Sequence, residues 1–536
     1  MWLQPPPVLP IPSSDGHEGP PRPYSAEPST GGPAAPTERR LARAQNRALL
    51  YGPFPRSGLT RGVSEGTLLL DEDVGVRDLA VTRIRESGAS VVRIPVDWRS
   101  TVAESPPPSF EAANPASADY RFAPIDAAVL SVVSAGMTPL LVVSHAPAFA
   151  EASPRWPYAY PGSWAPSPIA LEEFATALAR RYDGSFPDLE APGGVLPRVR
   201  LFQAWNEPNL TRYLEPQWVV EARHWTAFSP LLYREMLNGF YSGVKSVEPD
   251  DVVVAAGIAP NGDPEGVGRM QPVRFLRELL CLTPSPSLHH REDVRRSRAG
   301  CPDPPHFDVL AFHPLSVGDP NRPAASSLDV SISDAAKITS LLTQAERLGT
   351  ALPQAAKPVW VTELNWESAP QTPQGVPADL QAAWVSRALH RLWVAGISLV
   401  AWQFLVDPYP GVLAATPTGG VIEYPRFAGL YSAGVSGNPE TAKPKPFLQG
   451  FAFPFDPLRV DSRRVRVWGL LMRPGQPVVL QRQTRGGGWR TVANLHAGRN
   501  AVLNVLVAMR GAARVRLRSG ALNSAVAVVP AGRSRL

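Results

Sequence analysis

Between residues 59 and 404, short apolar runs alternate with longer stretches whose apolar positions recur at helical spacing. The runs at 59–63, 90–96, 138–144, 199–205, 252–258, 307–312, 358–362 and 398–404 carry little polar alternation, as strands covered on both faces must. Helices are predicted between them at 71–87, 125–135, 168–182, 231–247, 272–282, 333–348 and 377–394. The first of these opens on acidic residues and stops at Gly88, in keeping with the helix dipole and a glycine terminator. A repeated strand–helix rhythm builds parallel sheets, and eight strands over roughly 350 residues predict an α/β fold of the (β/α)8 TIM-barrel type. An open, doubly wound sheet would show a glycine-rich phosphate turn after its first strand, and that turn is absent.

The texture changes after Phe451. Runs at 465–471, 477–483, 489–496, 501–508, 513–518 and 524–529 are short, several alternate, and Gly, Pro or Asn separates them, which predicts a small all-β sandwich. The stretch 477–494 resembles the small immunoglobulin-like sandwiches appended to secreted bacterial proteins. Residues 442–457 read as the linker or packed joint before it. Residues 1–45 are dense in Pro, Gly and Ser without periodicity and read as a disordered tail, with structure expected from about residue 59. The domain reading is therefore a tail at 1–45, a barrel at 55–455 and a β-sandwich at 460–536.

Composition narrows the function classes. The 536 residues include 61 Pro, which predicts long irregular connections. Net charge is +6, but the arginines are scattered and no aromatic-and-basic stripe accompanies them, so a nucleic-acid partner is not expected. No apolar run is long enough to cross a membrane, and the first residues lack the basic and apolar regions of a signal peptide. The two cysteines, Cys281 and Cys301, are too few for a four-cysteine zinc site. His289 and His290 lie between them, but a disulfide closing that Pro-, Ser- and Arg-rich loop is the better expectation, and it favours an extracellular or cell-surface location. No metal or cofactor motif is present, and a monomer is expected.

In a barrel the functional groups lie at the C-terminal strand ends. Those ends carry Arg93, His145, Asn206, Glu207, His313, Glu363 and Trp402. A carboxylate placed directly after a buried strand loses hydration unless it is partnered or used, which singles out Glu207 and Glu363. They end strands four and seven, nearly across the barrel, where two carboxylates can flank one glycosidic bond. Asn206 can donate its amide hydrogen to a sugar hydroxyl. Asp97-Trp98, Trp156-Pro157-Tyr158 and Trp164 are candidate sugar-binding walls, and Asp407 a candidate rim residue.

Trp205-Asn206-Glu207-Pro208 together with Glu363 in VWVTELNW resembles the clan of retaining barrel glycoside hydrolases that contains the cellulase-like family five and the β-xylosidase-like family thirty-nine. The resemblance covers roughly residues 59–455. It implies Glu207 as acid/base, Glu363 as nucleophile, and Arg93 as the group that holds the nucleophile. It implies His145 and His313 as lining of the −1 subsite and Trp402 as its floor, with a carbohydrate substrate cleaved by double displacement. The chain departs from the family-five pattern at Leu315, where a Tyr commonly bonds the nucleophile. A catalytically weak carbohydrate-binding or cell-surface scaffold is the alternative.

Overall fold

A computed structural model describes residues 36–221, 223–282, 301–316, 318–409, 426–534 and 536. Eight parallel strands close into a barrel: Thr60–Ser64, Val91–Asp97, Thr138–Ser144, Leu201–Ala204, Val252–Ile258, Val309–Phe312, Val359–Leu364 and Ile397–Gln403. Each strand pairs with its sequence neighbours, and strand one closes on strand eight. All eight strands read from the sequence are present, and the helices between them lie within a few residues of expectation.

Strand parity divides the apolar residues into two layers. Val91, Leu140, Val254, Val309, Ala311, Leu399 and Ala401 fill the barrel interior. The alternate residues, among them Val92, Ile94, Val253, Leu310, Val361, Val400 and Trp402, pack outward beneath the helices in a far larger cluster.

Beyond the barrel, Phe455–Arg459, Arg464–Leu470 and Val502–Ala508 form one antiparallel sheet. Trp489–His496, Pro477–Gln483 and Ala513–Ser519 form another, edged by Leu522–Asn523 and Ala527–Val529. Both sheets bury side chains in one apolar cluster, with Phe455, Val465, Val467 and Leu503 from one and Leu480, Val515, Leu517 and Val529 from the other.

The structure departs from the sequence reading near the N-terminus and adds detail in two other places. A helix spans Pro36–Tyr51, inside the stretch read as a tail to residue 45, while residues 1–35 lie outside the described residues. Its Leu49 and Leu50 are buried against Leu458 and Val460, more than 400 residues away, so its partner was invisible locally. Of the two readings of 442–457, linker or packed joint, the residues are arranged as the second: they hold the helix Pro446–Ala452 and the buried strand Phe455–Arg459. A hairpin, Trp218–Glu221 with His224–Ala227, rises within the loop after strand four.

A buried polar network ties these parts together. Asp456 accepts from Arg387 Nε at 2.8 Å and contacts His390 Nδ1 at 2.7 Å. Arg391 donates to Asn321, in the loop after strand six, and to Asn46 of the first helix, both at 2.7 Å. Burial pushes the Asp456 carboxyl up, but Arg387 and His390 outweigh it and hold the group at about 2.

Because Leu50 fills a sealed seat, Leu50→Ala should cost about 2–5 kcal/mol of stability. Denaturant unfolding measures this, and a change within error would show that the helix is only loosely docked.

Candidate active site

The site grows from two β-bulges and one strained turn. On strand seven, Val361 pairs with Val400 and Leu364 with Trp402, so Thr362 and Glu363 together face one residue of strand eight. Such a bulge breaks the alternation that would send these two side chains to opposite faces. Thr362 reaches His313 and Glu363 reaches Arg93.

On strand five the register shifts between Ala256 and Ile258, with φ of 70° at Ala256 and 71° at Gly257. A Cβ at Gly257 would sit 2.6 Å from Gln203 Nε2 and 2.8 Å from His313 Nε2, so only glycine lets both side chains lie there. The Gly257 carbonyl accepts from the Glu207 amide at 3.1 Å.

After strand four the chain turns sharply, with φ of 72° at Trp205 and 41° at Glu207. Side chains other than glycine rarely adopt that region, so surrounding bonds must hold the turn. Trp205 Nε1 donates to the Tyr213 carbonyl at 2.8 Å. Asn209, fully buried, receives Ala259 N at 2.9 Å and donates to the Met270 carbonyl at 2.9 Å.

Arg93 is the hub. Its Nη1 donates to Glu363 Oε1 at 2.7 Å and to Ser64 Oγ at 3.1 Å. Nη2 donates to Asn206 Oδ1 at 2.6 Å and Nε to Gln203 Oε1 at 3.0 Å. Because the Asn206 oxygen is engaged, its amide hydrogens are the part left to offer a ligand.

His313, with no exposed surface, contacts Glu207 Oε1 through Nδ1 at 2.9 Å and Thr362 Oγ1 through Nε2 at 2.9 Å. Nδ1 also lies 3.6 Å from Glu363 Oε2. One oxygen of each carboxylate and a ring nitrogen of His313 lie within 4.8 Å of one another. Burial alone would raise the Glu363 carboxyl, but His313, Arg93 and Arg426, with the Arg93 hydrogen bond, hold it below the usual carboxylate range.

The structure thus brings together Arg93, Asn206, Glu207, His313 and Glu363. His145 sits at the end of strand three, its ring half-buried. Its polar contacts are Ser144 Oγ at 3.1 Å and Asp97 Oδ2 at 3.5 Å, and its ring lies 5.3 Å from Tyr213.

Trp402 is a correction. It is fully buried on the outer face of strand eight, donates Nε1 to the Ala428 carbonyl at 2.9 Å, and packs on Phe447 at 5.2 Å. The interior seats of that strand belong to Leu399 and Ala401, so Trp402 cannot be a subsite floor. Trp98 and Trp164 are likewise buried, which removes them as sugar walls, whereas Tyr158 is exposed. Asp407 is not a rim residue, because it is buried and paired with Lys445. Cys281 and Cys301 form the expected disulfide, and His289 and His290 between them lie outside the described residues.

Sequence reasoning missed Gln203, Thr362, Gly257 and Arg426. Gln203 had a readable signal, being a polar residue inside a buried strand. At Leu315 the chain supplies no hydroxyl, and the charges acting on Glu363 come from Arg93, His313 and Arg426.

No known protein family's sequence profile matches the chain, and no curated protein matches it. Among solved structures, a family 39 glycoside hydrolase from Bacteroides cellulosilyticus WH2 is 17% identical, covering 84% of this chain and 81% of that one, with a TM-score of 0.47. A GH39 β-xylosidase from Caulobacter crescentus is 13% identical, covering 85% and 95%, with a TM-score of 0.45. A GH30 endoxylanase from Clostridium papyrosolvens C71 is 12% identical, covering 85% and 95%, with a TM-score of 0.41. These values describe a likeness of chain trace, and the function proposed below rests on the site's own geometry.

Two outcomes are expected of variants here. Gly257→Ala should displace Gln203 and His313, because the added carbon would sit on both side chains. A crystal structure of the variant checks this, and both side chains left in place would refute it. Arg93→Gln should move the titration of Glu363 to higher pH, read by carboxyl-carbon NMR. The ionised form of Glu363 exists above its pKa and is lost as pH falls through it, and removing a lowering charge raises that pKa.

Proposed function

We propose that the protein is a glycoside hydrolase that cleaves β-glycosidic bonds of an oligo- or polysaccharide with retention. The observation that carries the reading is the buried pair Glu207 and Glu363, with oxygens within 4.8 Å, one carboxylate on an arginine and the other on a histidine. Retaining enzymes space their carboxyl groups by about 5–5.5 Å, whereas inverting ones leave room for a water at about 6.5–9.5 Å.

In this reading Arg93 holds Oε1 of Glu363, and Oε2 attacks the anomeric carbon. The glycosidic C–O bond breaks, and the proton of Glu207 passes to the leaving oxygen. Glu207 then takes a proton from water as that water's oxygen displaces Glu363 from the anomeric carbon. Asn206, its oxygen fixed by Arg93, presents N–H to a sugar hydroxyl during both steps. His313 keeps Glu207 in place and is itself fixed by Thr362.

The alternative of a catalytically weak scaffold draws on Leu315. It is less favoured, because Arg93, His313 and Arg426 already keep Glu363 in its ionised form. We further infer an immunoglobulin-like module, supported by strand order: first–second–fifth in one sheet, third flanked by fourth and sixth in the other. An extracellular or cell-surface location is supported by the disulfide, and no helix among the described residues is long and apolar enough to cross a membrane.

A panel of 2-deoxy-2-fluoro glycosides with good leaving groups tests the mechanism. One of them should label Glu363, located by peptide mass mapping. Glu207→Ala should slow turnover by about 10²–10⁴-fold and recover with azide, which gives a β-glycosyl azide. Failure of the whole panel to label or be turned over would overturn the hydrolase reading.

A further inference from the structure

The ladder between strands four and five is interrupted beside the turn that carries Glu207. Parallel strands exchange bonds at every second residue, and the Val252 amide donates to the Arg200 carbonyl at 2.7 Å. With Ala204 opposite Ala255, the same series would end on a bond from the Ala256 amide to the Ala204 carbonyl. A side chain takes that place. Tyr233, from the helix Ser229–Val247, donates its hydroxyl hydrogen to the Ala204 carbonyl at 2.6 Å and accepts from the Ala256 amide at 2.6 Å.

An oxygen inserted between two backbone groups that would otherwise meet at about 2.9 Å holds the strands apart there. Both chains leave regular geometry at the gap, with φ of 72° at Trp205, directly after Ala204, and 70° at Ala256 itself. From the barrel interior, Gln203 Nε2 reaches the Trp205 carbonyl at 3.2 Å and the Ala256 carbonyl at 3.3 Å, so the gap is bridged from both faces. The two chains meet again where the Glu207 amide donates to the Gly257 carbonyl. The Tyr233 ring is fully buried and lies 6.0 Å from that of Phe275, on the helix Pro272–Leu279, which limits its movement. Burial pushes its phenol well above the ordinary range, so the hydrogen stays on the oxygen. A core tyrosine needs one partner to satisfy its hydroxyl, whereas this one spends its hydrogen and a lone pair on two different strands.

We propose that Tyr233 is a positioning residue for Glu207: its hydroxyl, spliced between Ala204 and Ala256, sets the strand separation from which the turn bearing the carboxylate springs. Without that hydroxyl, Ala204 and Ala256 are free to bond directly, which closes the gap, relaxes the turn and draws the Glu207 carboxylate off His313. The catalytic consequence rests on the hydrolase reading, whereas the movement of Glu207 does not.

The test is Tyr233→Phe in the full chain. Its crystal structure should show the Ala256 amide on the Ala204 carbonyl and Glu207 withdrawn from His313 Nδ1. Turnover of an alkyl β-glycoside, whose leaving group needs the proton of Glu207, should fall by about tenfold or more. Labelling of Glu363 by a dinitrophenyl fluoroglycoside, whose leaving group needs no proton, should stay within about twofold of the parent. In a Glu207→Ala background the same substitution should add nothing to the loss. A general packing defect would instead slow both reagents alike and add to Glu207→Ala. That result overturns the proposal, as does a structure in which Glu207 keeps its contact with His313. If Tyr233→Phe does not fold, para-aminophenylalanine in place of Tyr233 keeps a donor for Ala204 and offers Ala256 a poorer acceptor, and the same split by leaving group decides. A parent that neither turns over nor is labelled by any glycoside loses the hydrolase reading, and the displacement of Glu207 then decides the positioning role alone. A labelled parent that Tyr233→Phe matches on every reagent keeps the hydrolase and loses the proposal.

Discussion

An arginine that is 4% exposed cannot rely on water, and Arg93 at the mouth of the closed barrel is in that position. Removing such a charge from water costs several kcal/mol unless neighbours replace the lost hydration. Strand one supplies Ser64, strand four and its turn supply Gln203 and Asn206, and strand seven supplies the compensating charge of Glu363. Meeting the needs of one buried cation therefore orients an amide and a carboxylate on opposite sides of the barrel. Together with the charges of His313 and Arg426, the Arg93 contact also holds the Glu363 carboxyl below the usual carboxylate range, so one residue contributes to both position and charge.

The backbone irregularities follow from the same constraint. A regular barrel strand alternates its side chains, and two successive residues cannot both enter the interior. The bulge at Thr362 and Glu363 lifts that limit, giving His313 a hydroxyl on one nitrogen while Glu363 meets Arg93. The bulge at Ala256 and Gly257 clears space for Gln203 and His313, and its carbonyl fixes the turn that bears Glu207. Local strain at Trp205, Glu207 and Ala256 is thus spread through bonds that converge on the same few side chains.

The sandwich and the first helix share a polar joint with the barrel. Asp456, Arg387 and His390 meet in its interior, where the His390 ring stacks on Trp468 at 4.8 Å. Arg391 extends the contacts to Asn46 and to Asn321 of the loop that follows His313. Both the N-terminal helix and the C-terminal sheets therefore brace elements of the barrel.

What the sequence determined by itself is what depends on neighbours along the chain. Parallel strands covered on both faces must be apolar, so the eight strands stand out, and a Glu at or just past the end of such a run is conspicuous, which brought Glu207 and Glu363 forward as candidates. The disulfide between Cys281 and Cys301 was legible because only one pairing exists. Tertiary structure decided what depends on register and distant partners. Trp402 faces outward because strand pairing sets its parity, and a one-residue difference exchanges interior for exterior. The helix Pro36–Tyr51 forms against Leu458 and Val460, which no local window contains. Arg426 reaches Glu363 only because the closed barrel gathers its loops at one end. Local pattern specifies which residues are strands and which polar groups end them, whereas closure and register decide which of those groups meet.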